Sequence, residues 1–274
     1  MRLLATVLLA LSFTVATVHA ASSPLPPDEP GAKDALDHSP RHGEWVDIPY
    51  PGHAPLHTWV VYPERADKAG VVLVVHEIFG LSDWIRGVAD RLAAEGFIAV
   101  APDLISGLGP DGGGTAATRS RDEVVQLVFK LTPEETAARL EATRAWTRTI
   151  PSANGRLATL GFCWGGGRSF AAAAMRPAPQ ACVVFYGPAP DSVLLREVNA
   201  PVLAHYGGDD ARITASVEGT RATLAALHRR YTPYVYAGAG HGFMRQQDGR
   251  DGANRRAAEA AWPRTITFLR QALR

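Results

Sequence analysis

Leu157-Ala158-Thr159-Leu160-Gly161-Phe162-Cys163-Trp164-Gly165-Gly166-Gly167 is the stretch that decides the fold. Leu157 to Phe162 reads as a buried strand and Gly165 to Met175 as a helix, with a cysteine on the turn between them. The arrangement small-x-nucleophile-x-small at a strand-to-helix junction is a nucleophile elbow, here with Cys where Ser is usual. Its spacing has a steric cause. Side chains two residues before and after the nucleophile would hold strand and helix apart, and Gly161 and Gly165 remove them. The turn then exposes the sulfur at a helix N-terminus, where the helix dipole favours thiolate over thiol.

Outward from the elbow, strand and helix alternate. Trp45 to Tyr62 gives two short extended runs split by Pro51-Gly52. Val71 to Val75 is a continuous β-branched run, as expected of a strand covered on both faces. Gly87 to Ala94 has helical spacing, and Phe97 to Ala101 is a strand stopped by Pro102. Thr132-Pro133 caps and opens a helix reaching about Arg148. Further strands are expected at Ala181–Tyr186, Pro201–Tyr206 and Tyr234–Tyr236, with helices at Ser216–Arg229 and Asn254–Leu273. This alternation predicts an α/β fold, a mainly parallel sheet with helices on both faces, in one domain over residues 45–274.

Ligands of such sheets bind at the carboxyl ends of the strands. Four strand ends carry polar residues there: His76-Glu77, Cys163, Asp209-Asp210 and His241. His241, in the glycine-rich turn Gly238 to Gly242, follows the nucleophile as a general base should, and no other histidine has that setting. The acid between them is Asp210 or its neighbour Asp209; the spacing from Gly207 and the following Ile213 selects Asp210. Two backbone donors should bind a developing oxyanion, Trp164 after the nucleophile and Ile78 after the earlier strand.

The segments His76-Glu77-Ile78-Phe79-Gly80, Gly161 to Gly166, His205 to Asp210 and Gly240-His241-Gly242-Phe243 together resemble the dienelactone hydrolases. The resemblance runs over residues 45–274 in matching order. It implies an α/β-hydrolase fold with a Cys163-His241-Asp210 triad, and cleavage of carboxymethylenebutenolide, an unsaturated lactone with a carboxylate tail. It also implies that Glu77 modulates the nucleophile by bonding the sulfur in the empty site, holding the thiol protonated until substrate displaces it, and that Arg245 binds the substrate carboxylate. A second arginine of the family pattern is absent after Asp103, where the chain reads Leu104 to Leu108; Arg119 and Arg121 come later. This departure points to a natural substrate other than dienelactone.

Residues 1–20 read as a secretory signal peptide: Arg2, an apolar stretch Leu3 to Val18, and a small-residue cleavage site after Ala20. Residues 21–44, with Pro24, Pro26, Pro27 and Pro30, read as a flexible leader. The expected location is periplasmic or secreted, with no membrane attachment after cleavage. Over 274 residues the formal net charge is +1, from 28 basic and 27 acidic residues without a block of either sign, which argues against a nucleic-acid partner. The expected partner is a small ester or lactone. No cofactor is expected, and no ligand spacing suggests a metal. Cys182 reads as a buried small hydrophobe, since a disulfide to Cys163 would abolish the nucleophile. A thioesterase or peptidase on the same fold, or a binding protein that kept the site, stays open at this point. The sequence leaves the oligomeric state, monomer or otherwise, undetermined.

Overall fold

The computed structural model describes residues 25–274, so the expected signal peptide lies outside the described residues. Its strands are β1 (Gly43–Ile48), β2 (Leu56–Val61), β3 (Ala69–Val75), β4 (Ile98–Pro102), β5 (Ala153–Phe162), β6 (Ala181–Phe185), β7 (Val202–Gly207) and β8 (Tyr231–Tyr236). Its helices are α1 (Ala32–Asp37), α2 (Asp83–Ala94), α3 (Arg121–Lys130), α4 (Pro133–Thr147), α5 (Trp164–Ala172), α6 (Ser192–Glu197), α7 (Ala211–Thr214), α8 (Val217–Ala226) and α9 (Ala253–Leu273).

The strands form one sheet in the order β1-β2-β4-β3-β5-β6-β7-β8. The β1–β2 and β2–β4 pairs are antiparallel, and every later pair is parallel. This is the α/β-hydrolase arrangement. Side-chain alternation along β3 divides the core. Val72 and Val74 face the side covered by α1, α2 and α9, with Trp84 and Trp262 buried there. Val71, Leu73 and Val75 face α3 and α4. Further along the sheet, Cys182 and Val184 of β6 meet α5, α6 and α8. Both faces of the central strands are therefore dry, which is why they read as unbroken apolar runs.

Helix boundaries have local causes. Thr132 caps α4 in a reciprocal capping box with Glu135, and Pro133 follows it. Ser82 caps α2 and starts it four residues before the expected Gly87. At the elbow, a Cβ on Gly161 would lie 2.0 Å from the Gly165 carbonyl oxygen, and one on Gly165 would lie 2.2 Å from that of His76. Backbone cannot yield to such contacts, so glycine is required at both positions.

The described part of the expected flexible leader is packed onto the domain. Leu25 lies against the α2–α9 core and Ala32 is fully buried. Trp84 Nε1 donates to the Pro27 carbonyl and Gln247 Nε2 to that of Pro26. Pro26, Pro27 and Pro30 restrict this segment before folding, so laying it on a preformed surface costs less conformational entropy. Proline richness here marks a preordered strap rather than a tether.

Candidate active site

The parallel strands point their carboxyl ends to one edge, and that edge collects the titratable groups. Cys163 follows β5 with φ 55° and ψ −118°, a strained conformation for a non-glycine residue that places it as the cap of α5. His241 follows β8, and its Nδ1 lies 2.5 Å from Oδ2 of Asp210, which follows β7 and is nearly buried. Asp209 turns the other way and pairs with Arg250 at 3.1 Å, both side chains half exposed. The structure thus joins His241 to Asp210 and sets Asp209 on the surface.

Tyr186, just beyond β6, links these groups and had no signal in the sequence. It is fully buried at φ 40°, with its ring edge-on to that of His241 at 5.0 Å between centroids. Its hydroxyl faces the Glu77 carboxylate. Burial, then the nearby Glu77 and Cys163, hold that hydroxyl protonated well above the usual tyrosine range.

Glu77 follows β3 and is buried. Burial pushes its pKa up to about 7, against the pull of Arg245. Its partner is the Arg245 Nε at 2.8 Å, rather than the cysteine sulfur that the family resemblance implied. Glu77 acts on the sulfur through its charge, and the Trp164 N–H beside it pulls the other way. Burial first, then Glu77, raise the Cys163 thiol to about 11. This setting favours the thiol, the form that the family resemblance implied for the empty site, whereas a helix end alone favours thiolate. A helix N-terminus contributes up to about 2 kcal/mol in favourable sites, and here burial beside a carboxylate outweighs it.

Alkylation of Cys163 by iodoacetamide should consequently rise about tenfold per pH unit from pH 8 to pH 10, since below its pKa the thiolate fraction grows by that factor. Glu77→Gln removes the neighbouring negative charge and lowers the thiol pKa, so its labelling at pH 8 should be faster than wild type. A rate already flat at pH 8 would contradict a buried thiol. Cys182, fully buried in β6 with its thiol raised to about 12, should stay unlabelled throughout.

Ile78 and Trp164 are half-buried and flank the elbow on the α3–α4 side. Trp164 stacks on His76, whose Nδ1 donates to the Glu77 carbonyl and whose Nε2 accepts the Leu104 N–H. That histidine orders the loop after β3. His205 is equally buried, between the Tyr236 hydroxyl and Thr265, and burial lowers its pKa to about 3. Both are structural. An apolar cavity of about 410 Å³ begins at Trp164 and runs between α4, α5 and α6, lined by Leu140, Met175, Pro188 and Leu194 among others.

Arg245 is nearly buried and doubly engaged. Besides Glu77 it contacts Glu29, which also lies 3.0 Å from Arg121. The carboxylate site expected at Arg245 is therefore filled by side chains of the chain itself. Glu29 belongs to the stretch that reads as a tether, and its residue type carries no signal there.

The model of the dienelactone hydrolase family matches residues 56–273, four fifths of the sequence. The chain belongs to the dienelactone hydrolase family. A Salmonella typhimurium protein provisionally named carboxymethylenebutenolidase is 34% identical over 222 residues, covering 76% of this chain and 80% of its own length. One of the same provisional name from Methylorubrum extorquens is 32% identical over 221 residues, covering 76% and 74%. A Klebsiella pneumoniae crystal structure, provisionally described as a dienelactone hydrolase, superposes with a TM-score of 0.73 at 29% identity, covering 84% of this chain and 99% of that one. A thermostable carboxylesterase from a metagenomic library, at 15% identity and a TM-score of 0.64 over 88% of this chain and 95% of its own, shares the fold. Family membership makes this chain a hydrolase with the α/β-hydrolase fold.

Proposed function

We propose that the protein is an exported hydrolase that cleaves an uncharged carboxylic ester or lactone through the thiol of Cys163, with His241 as base and Asp210 as its orienting acid. The observation that carries this reading is the 2.5 Å contact between His241 Nδ1 and Asp210, at the same sheet edge as a cysteine held in the elbow conformation. Asp210 fixes the tautomer that leaves Nε2 free and stabilises the imidazolium. Nε2 takes the proton from Sγ as the sulfur attacks the carbonyl carbon. The carbonyl oxygen becomes an alkoxide bonded by the N–H groups of Ile78 and Trp164. Collapse breaks the ester C–O bond, and the leaving oxygen takes the proton back from His241. Water, deprotonated by the same histidine, then attacks the thioester and releases the acid and the free thiol.

A resting thiol near pKa 11 suits this order, because the proton leaves only when a carbonyl is present to accept the sulfur. The apolar cavity beginning at Trp164 offers a place for the uncharged part of a substrate.

The test is a screen of aryl esters, lactones and thioesters with purified mature protein. Esters and uncharged lactones are expected to be turned over, with carboxylate-tailed dienelactone a poor substrate. Turnover of thioesters alone, or strong preference for dienelactone, would overturn the reading. For export, the mature protein recovered from the periplasm or medium should begin at Ala21, and an intact Met1 there would contradict it.

A further inference from the structure

Two guanidiniums approach the Phe79 ring, Arg121 at 3.5 Å and Arg245 at 5.0 Å from its centre. Glu29 spans both: Oε1 reaches Arg121 at 3.0 Å, and Oε2 contacts Arg245 Nη1. Its own backbone N–H donates to the Arg245 carbonyl at 2.9 Å, which locks the position from a second side. Glu77 takes the Nε side of Arg245. With both carboxylates ionised, Arg121, Arg245, Glu29 and Glu77 sum to zero charge. Without Glu29 the same cluster would carry one net positive charge, with two guanidiniums set to receive the two oxygens of one carboxylate. Arg245 pairs with Glu77, and the backbone just before Glu77 packs on the elbow: a Cβ on Gly165 would lie 2.2 Å from the His76 carbonyl oxygen, and His76 stacks on Trp164, so the cluster lies at the strand edge that carries Cys163. Glu29 also comes from upstream of residues 56–273, which the family model matches.

We propose that Glu29 is a specificity-determining residue: it fills an anion subsite beside Cys163 with an intramolecular carboxylate, so that the site admits uncharged esters and lactones and turns away substrates with a carboxylate tail. A carboxylate held by the strap through Pro26 and Pro27 is present at high effective concentration, and a free anion must displace it to bind. The missing second arginine of the family pattern is then supplied in space by Arg121, but it is spent on Glu29. Arg121 stands with Arg245 on one aromatic ring, although the two are far apart in sequence.

This inference rests on Cys163 as the nucleophile, and its test separates the two claims. Wild type, Glu29→Gln and Asp28→Asn are compared on two aryl esters with one leaving group, 4-nitrophenyl butyrate and the monoester 4-nitrophenyl glutarate. The ratio of kcat/KM, anionic over neutral, should rise about tenfold in Glu29→Gln, carried mainly by KM, as the substrate carboxylate forms one charge-assisted hydrogen bond with the freed guanidiniums. Asp28→Asn removes the same charge one residue away and should leave the ratio within about twofold of wild type. The second readout needs no turnover: the ratio of Cys163 alkylation rates by iodoacetate and iodoacetamide should rise similarly in Glu29→Gln. Any change in thiolate fraction affects both reagents and cancels in that ratio. In unmodified wild type, glutarate should fail to protect Cys163 from iodoacetamide. Protection by glutarate, an unmoved ratio in Glu29→Gln, or an equal rise in Asp28→Asn would overturn the assignment to Glu29. Absence of ester turnover in wild type would overturn the proposed hydrolysis and leave the alkylation ratio to decide the role of Glu29.

Discussion

Cys163→Ala should remove ester hydrolysis by about 10³-fold or more while leaving the fold in place. The two halves of this expectation have separate causes. The sulfur is the attacking atom, and no neighbouring side chain can substitute for it: Tyr186 is fully buried and its hydroxyl is held protonated. Stability, in contrast, depends on the backbone of the elbow. The Cys163 N–H donates to the Phe185 carbonyl, and its carbonyl accepts from Gly167, and alanine keeps both bonds. Loss of one half-buried sulfur should cost no more than about 1–2 kcal/mol. Cys163→Ser separates chemistry from shape. Burial beside Glu77 that lifts a thiol to about 11 would penalise an alkoxide far more, so serine should retain less than about 1% of the activity. Steady-state rates on 4-nitrophenyl butyrate, paired with urea unfolding curves, check both variants. A folded Cys163→Ala protein with more than a few per cent of wild-type turnover would exclude the sulfur as nucleophile.

Strand β3 and the buried part of β5, Leu157 to Phe162, were legible because burial on both faces leaves a run that is almost wholly apolar. The elbow was legible because a steric requirement, glycine on either side of the nucleophile, is written directly in residue type. Helix α3 was also open to reading: Ser120 accepts the Glu123 N–H as its cap, and Val124, Leu127 and Val128 form its buried face. Helix α1 is different. Its six residues bury only Ala32, and it owes its place to the strap packing on α2, which local sequence does not encode.

The site divides in the same way. Chain order and glycine setting singled out His241. Between Asp209 and Asp210 the composition is identical, and only the direction each side chain takes from the turn separates them. The Glu29 contacts join residues 216 and 92 positions apart, and a proline-rich stretch before the first strand gives no sign of reaching Arg245 and Arg121. The balance at the thiol was legible only in part. A helix N-terminus and the neighbouring Glu77 can be read from sequence, whereas the burial that raises the thiol depends on how the chain packs around the elbow.

Asp210→Asn should lower kcat/KM by about 10³–10⁴-fold, and Asp209→Asn by less than about threefold. Asp210 is nearly buried, with Oδ2 at 2.5 Å from His241 Nδ1, and its side chain does not cap the helix α7 that follows. Its carboxylate is therefore committed to the imidazole. Asparagine keeps the volume and the backbone bonds that Ile213 and Thr214 make to this carbonyl. It removes the charge that stabilises the imidazolium, and through its amide it can hold the wrong tautomer. The pair of Asp209 with Arg250 is half exposed on both sides, in the class of surface ion pairs worth about 0–1 kcal/mol. Its loss should register in unfolding experiments slightly and in catalysis hardly at all. The measurement is kcat/KM for both variants on one aryl ester, with urea unfolding to confirm equal folding. Greater damage from Asp209→Asn would mean that the loop after β7 rearranges when substrate binds, so that the surface carboxylate and not the buried one meets His241 in the transition state.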